Sequence, residues 1–219
     1  MMSIELYHGS PVVVEMPMLH AGKLHNDYGQ GFYCTLDRNL ACEWACKNST
    51  STGYVNSYTL DTDGLCVLNL DEAESGVLTW AATLMRFREV NFPAGVDVTG
   101  VEKFIDTYAC DLRGVDVVQG YRADDSYFDI VRAFVGNRLS VSGLEQALHL
   151  GDLGKQFVLK SERAFLNLSF LDAHPVEGST WYAKRSSRNK HACDIFRNCV
   201  LSRDDVHGTF FLDILRQLA

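Results

Sequence analysis

At 219 residues the chain can close a sizeable core, since a folded chain of this size buries roughly 70 per cent of the surface its unfolded form exposes. Hydrophobic residues at 47% and charged residues at 22% exclude a disordered chain, and a net charge of −8 excludes a surface that grips nucleic acid over its whole extent. No apolar run approaches the ~18 residues of a membrane span, and the first residues lack a basic segment followed by an apolar stretch, so a cytoplasmic protein with no membrane association is expected.

In chain order, Ile4-Glu5-Leu6-Tyr7 alternates as a strand does and stops at the turn His8-Gly9-Ser10-Pro11. A loop runs to Gly29-Gln30-Gly31, followed by a short strand over 32–35. Asp37 is placed to cap a helix reaching about Lys47, with Leu40, Ala41, Trp44 and Ala45 on one face. Strands at 54–60 and 65–70 flank Asp61-Thr62-Asp63-Gly64, a hairpin signal. A helical period then covers 72 to about 90, and Val115 to Gln119 reads as a buried strand. Helices near 127–135 and 142–148, a strand over 156–160 and a last strand near 166–171 complete the series. Strands and helices mixed without a βαβ rhythm predict the α+β class.

After Leu171 the composition shifts. Six Lys/Arg residues stand against one acid between Lys184 and Arg203, and Asp204 opens an amphipathic helix carrying Phe211, Ile214, Leu215 and Leu218. Residues 1–171 are therefore read as the main domain and 172–219 as its extension. The basic stretch is either a solvated face or a contact for an acidic partner, and the terminal helix either packs on its own domain or docks a partner protein. The seven cysteines include no C-x-x-C pair, which fits reduced thiols used as small apolar residues. His191, Cys193, Cys199 and His207 lack zinc spacing, and no metal is expected.

Three segments stand out: Tyr7-His8-Gly9-Ser10, Tyr28-Gly29-Gln30-Gly31-Phe32-Tyr33-Cys34-Thr35, and Leu40-Ala41-Cys42-Glu43-Trp44-Ala45. Each alone has an ordinary structural explanation, and Gly29-x-Gly31 is not the dinucleotide fingerprint, because no G-x-G-x-x-G opens a helix. Taken in this order they resemble the ADP-ribosyltransferase superfamily, in its His–Tyr–acid/amide clade that includes the poly(ADP-ribose) polymerases. Closer still is the resemblance to a bacterial domain-of-unknown-function family within it. It covers about residues 4 to 171 and is carried by Asp27 to Thr35, Ala41 to Ala45, Val55-Asn56-Ser57-Tyr58, Ala123-Asp124-Asp125 and Gln156-Phe157-Val158.

The resemblance implies a split, curved sheet with flanking helices, NAD as co-substrate, and transfer of ADP-ribose to an acceptor, protein or nucleic acid, that the sequence does not identify. NAD glycohydrolysis, as in a toxin held by an antitoxin, and a non-catalytic NAD-binding module are the alternatives. By resemblance His8, Tyr33 and Gln156 form the catalytic triad, while Gly9, Ser10, Gly31 and Trp44 help to hold NAD. Aromatic faces attract a pyridinium cation by up to about 2 kcal/mol when desolvated, and the Gly9 backbone is open to a carboxamide. Gln156 stands where chain-elongating relatives carry glutamate. An amide orients a hydroxyl but contributes only a dipole, so mono-transfer or hydrolysis is expected. The chain also departs from the pattern at Lys155, commonly aspartate, and at Ala41, serine in the polymerases. Asp124 and Asp125 are read either as an acidic element near the acceptor or as a helix cap.

Overall fold

The fold, given by a computed structural model, is described for residues 3–218 except 89, 91, 93, 124, 149, 151–153 and 202–206; of residues 125–127 and 199 only the backbone is described. The strands are Ser3–Ser10 (β1), Phe32–Thr35 (β2), Thr52–Asp61 (β3), Val67–Asn69 (β4), Val117–Tyr121 (β5), Lys155–Leu159 (β6) and Leu168–Glu177 (β7). The helices are Arg38–Ala45 (α1), Val77–Phe87 (α2), Val98–Tyr108 (α3), Asp125–Val135 (α4), Val141–Leu148 (α5), Glu162–Leu166 (α6), Gly178–Ile195 (α7) and Phe211–Leu218 (α8). The protein is thus α+β. Its sheet has the order β4-β5-β6-β2-β1-β3-β7, with β4 parallel to β5 and the other neighbours antiparallel.

The middle of the sheet positions the site. β1 pairs with β3 along its whole length, from Ser3 opposite Asp61 to Ser10 opposite Tyr54, but with β2 at a single position, Tyr7 opposite Thr35. Beyond that rung β1 and β2 part, and a cleft opens between the end of β1 and the start of β2.

Apolar periodicity fills both faces. Leu6, Cys34, Leu60, Val117, Phe157 and Leu159 pack on one, with Ala164 of α6. Tyr28, Val118 and Val158 meet the helices on the other. There Phe104 of α3, Phe134 of α4 and Phe211 of α8 contact one another edge to face, with ring centroids 5.2–6.1 Å apart. Each such ring, fully buried, stabilises the fold by about 1.5–3 kcal/mol. Asp37 caps α1 by accepting from the Asn39 amide (2.8 Å).

Several expectations need correction. Residues 61–64 do form a turn, with Gly64 at φ +74° and the Asp61 side chain accepting from the Asp63 amide (3.0 Å). It is not a hairpin, because β3 and β4 lie in different parts of the sheet and β4 pairs with β5. The helix expected over 72–90 is a 3₁₀ turn at Leu70–Glu72 and then α2, separated by Gly76 at φ +49°. The last strand begins at Leu168 rather than Leu166, which lies in α6, and continues to Glu177. The chain therefore stays in the sheet past residue 171. Helices α3, α6 and α7 were not anticipated. The terminal helix begins at Phe211 and buries Phe211 and Ile214 in the core of its own chain; Asp204, expected to open it, lies outside the described residues. No helix among those described is long and apolar enough to cross a membrane.

Candidate active site

The His8-Gly9 corner owes its shape to α1. A methyl group on Gly9 would stand 1.9 Å from the Ala41 carbonyl oxygen and 2.7 Å from the Ala45 nitrogen, so only glycine allows the helix to lie against β1. Ala41 and Ala45, both buried, complete that approach and bring Trp44 to the mouth of the opening. The result is a cleft of about 540 Å³ whose lining includes His8, Gly9, Tyr33, Trp44, Arg122 and Arg185. A smaller cavity of about 280 Å³ shares Tyr33, Trp44, Arg122 and Arg185 with it and reaches Asp27, Arg88 and Gln156. The triad read from the sequence is thus brought to two cavities with a common wall.

Where β1 and β2 separate, the Tyr33 carbonyl accepts from His8 Nδ1 at 2.7 Å. A carbonyl only accepts, so Nδ1 carries the proton, and the neutral ring offers Nε2 as an acceptor with no partner among the described residues. Burial lowers the His8 pKa, against the carbonyl's opposing effect, which keeps the ring neutral near pH 7. One face of the imidazole lies 4.4 Å, centroid to centroid, from the Phe32 ring.

Tyr33 is fixed by its hydroxyl, which donates to Gly29 O (2.6 Å) and accepts from the Tyr28 amide (3.0 Å). Its pKa is raised, chiefly by burial, so the group acts as a neutral ring rather than a base. Trp44 Nε1 is buried without a hydrogen-bond partner among the described residues, and the Arg122 guanidinium sits 4.7 Å from the indole centroid. A cation therefore already occupies a tryptophan face that the sequence reading reserves for a pyridinium.

Gln156, at the start of β6, is 3% exposed. Its Nε2 donates to Asp27 Oδ2 at 2.9 Å. The same oxygen accepts from the Ala123 amide at 3.0 Å, and Oδ1 lies 3.2 Å from Arg88 Nη1. Burial raises the pKa of Asp27, and the hydrogen bond from Gln156 and the Arg88 charge oppose it. Sequence reasoning gave Asp27 no role at the site, although it heads the Asp27–Thr35 motif that carries the resemblance. Lys160, beyond the end of β6, donates to the carbonyls of Tyr28 (2.6 Å) and Gln30 (2.8 Å), and its burial pushes its pKa down to about 8. It ties the loop that carries Asp27 to the sheet.

Two other expected ligand residues have local duties. The Ser10 hydroxyl accepts from the Val12 amide (3.1 Å) and donates to the Val12 carbonyl; it closes the turn after β1 and is absent from the cleft lining. Gly31 borders the cleft, but a methyl group there would lie 2.5 Å from Val158 Cγ1 and 2.8 Å from Leu159 O, so β6 already requires glycine. Asp124 lies outside the described residues, and of Asp125 only its place as the first residue of α4 is given. Lys155 pairs with Asp71 at 2.5 Å. The basic stretch is dispersed: Lys184 lies over Trp181, Arg185 borders the cleft and Arg188 pairs with buried Glu43 of α1. No metal-holding group of three His, Cys, Asp or Glu side chains occurs among the described residues.

Chemically, the two cavities offer aromatic walls, an imidazole acceptor, a backbone free of side chain and, among the described residues, the cations Lys23, Arg88, Arg122 and Arg185 against the carboxylate of Asp27. That balance suits a ligand with flat rings, hydroxyls and negative charge. The chain belongs to the family described as Protein of unknown function (DUF3990), whose model matches residues 4–170. No curated protein and no solved structure matches the chain.

Proposed function

We propose that this protein is an NAD-dependent mono-ADP-ribosyltransferase with the split sheet of that superfamily. The observation that carries the reading is the seam between β1 and β2, where one rung of pairing gives way to the His8–Tyr33 hydrogen bond beside a cleft bordered by Gly9 and Trp44. In this reading His8 Nε2 accepts from a hydroxyl of the adenosine-side ribose, and the Gly9 backbone bonds the carboxamide. Tyr33 and Trp44 flank the nicotinamide, with Arg122 giving up its place on the indole to the pyridinium and turning to the pyrophosphate. Gln156 orients the second ribose by its carboxamide oxygen, since its nitrogen is held by Asp27. Holding an acceptor at the anomeric carbon then supplies much of the rate. The acceptor is a macromolecule whose identity is set by the loops around the cleft.

Incubation of the purified chain with NAD tests this directly. Nicotinamide is released by the wild type, and His8→Ala and Tyr33→Ala each lower the rate by about 100-fold or more. Release that survives both substitutions refutes the site. The neutral, buried Gln156 favours one other reading, a module that binds NAD without turnover. Calorimetric binding with NAD recovered intact and no labelled ADP-ribose on any acceptor would establish it; nicotinamide freed without transfer would mark a glycohydrolase.

A further inference from the structure

We propose that Asp27 is a positioning residue and a fixed anion of this site: it turns the Gln156 carboxamide oxygen toward the ligand and places a negative charge behind it. Two side chains then divide between them what a single carboxylate would do. The proposal rests on the NAD reading above and deepens it by naming the group that answers the charge developed in the reaction.

An isolated glutamine amide can point either end at a ligand. An ionised carboxylate only accepts, so the 2.9 Å contact fixes the nitrogen of Gln156 on Asp27 and leaves the oxygen as the free end. Asp27 is itself set by two elements, through the Ala123 amide just after β5 and Arg88 just after α2. Both members of the pair are 3% exposed, and both line the smaller cavity beside Tyr33 and Trp44. A carboxylate in such a place carries a desolvation penalty. Arg88 offsets it at one oxygen while also lying 4.5 Å over the Phe128 ring.

The charge has a use in the reaction. When the bond between the ribose anomeric carbon and the nicotinamide nitrogen breaks, its electron pair goes to that nitrogen, which becomes neutral. The positive charge passes to the anomeric carbon and the ring oxygen. A lone pair of the acceptor, or of water, then bonds to that carbon, and the acceptor's proton passes to solvent. No redox partner is needed. The Gln156 dipole and the Asp27 charge both favour the cationic ribose over the bound ground state, which is the condition for raising kcat rather than binding.

The test compares the full-length wild type with Asp27→Asn, Gln156→Glu and the double variant, measuring nicotinamide release, NAD binding by calorimetry and thermal unfolding. Asp27→Asn lowers kcat by about 10- to 100-fold with KM within about threefold. Gln156→Glu is the parent of the double variant: two carboxylates in contact share one proton, so that pair retains a single negative charge. The double variant, again with one charge, is at least about tenfold faster than Asp27→Asn. If Asp27→Asn does not fold, the wild-type pH profile serves. Release falls on acidification as Asp27 takes a proton among Arg88, Arg122, Tyr28, Tyr33 and Gln156, and a flat acid limb overturns the proposal. So does Asp27→Asn at the wild-type rate in a chain that His8→Ala inactivates, or a double variant no faster than Asp27→Asn. A wild type that binds no NAD, or binds it without release, fails at the prior step and takes the NAD-cleaving site and the Asp27 role down together.

Discussion

The two walls of the cleft are built in opposite ways. Along α1 the wall is dry and set by contact distance: Gly9, Ala41 and Ala45 bring helix and strand so close that one added methyl group has no room. On the side of Asp27 the wall is polar and set by direction, through the hydrogen bonds from Gln156 and Ala123 to one carboxylate and the ion pair it makes with Arg88. The first wall fixes a shape, and the second fixes where charge and dipoles point. A site that must grip a flat ring and also meet a developing charge needs both kinds of rigidity, and here they come from separate elements.

Gly9→Ala breaks the first wall and gives the largest effect. Displacing α1 from β1 destabilises the fold by about 3 kcal/mol, read as a lower denaturant midpoint, and NAD binding is lost with the corner; unchanged stability would mean that the helix does not lie where it is described. Lys160→Met sharpens the second wall. The Lys160 pKa is about 8 in the fold against 10.5 for the free side chain. From pH 8 to 10.5, then, the unfolded chain holds a proton that the folded one lacks. Stability from this group is full above that window and declines as pH falls through it. Wild-type unfolding midpoints therefore rise across this window relative to those of the Met variant, and parallel curves would contradict the shift. Ser10→Ala is the smallest change. It removes a turn bond worth about 1 kcal/mol and leaves nicotinamide release within about twofold of wild type, whereas a large loss would return Ser10 to the ligand.

Much of the first wall was legible in the sequence. Alternation gave β1, Asp37 gave the start of α1, and the small residues of α1 together with His8-Gly9 carried the resemblance. The second wall was harder to see, because Asp27 sits in a loop with no period and meets Gln156 only across 129 positions of chain. The false hairpin at 61–64 shows the same limit, since turn chemistry is local while the partner of β4 is chosen by β5. Helix α7 escaped because its inward stripe runs through Trp181, Arg185, Arg188 and Ala192, and two arginines interrupt the apolar repeat. By contrast Gly76, visible in the sequence, already marked the interruption of the helix expected over 72–90.

The lone rung joining Tyr7 to Thr35 has a mechanical consequence. Elsewhere β1 is stitched to β3 over eight positions, so spreading that ladder would break many bonds at once. At the seam, by comparison, the opening can widen or narrow by bending about one pairing and the imidazole bridge beyond it. The backbone pairing of β1 is thus thinnest beside the cleft where a guest molecule would enter.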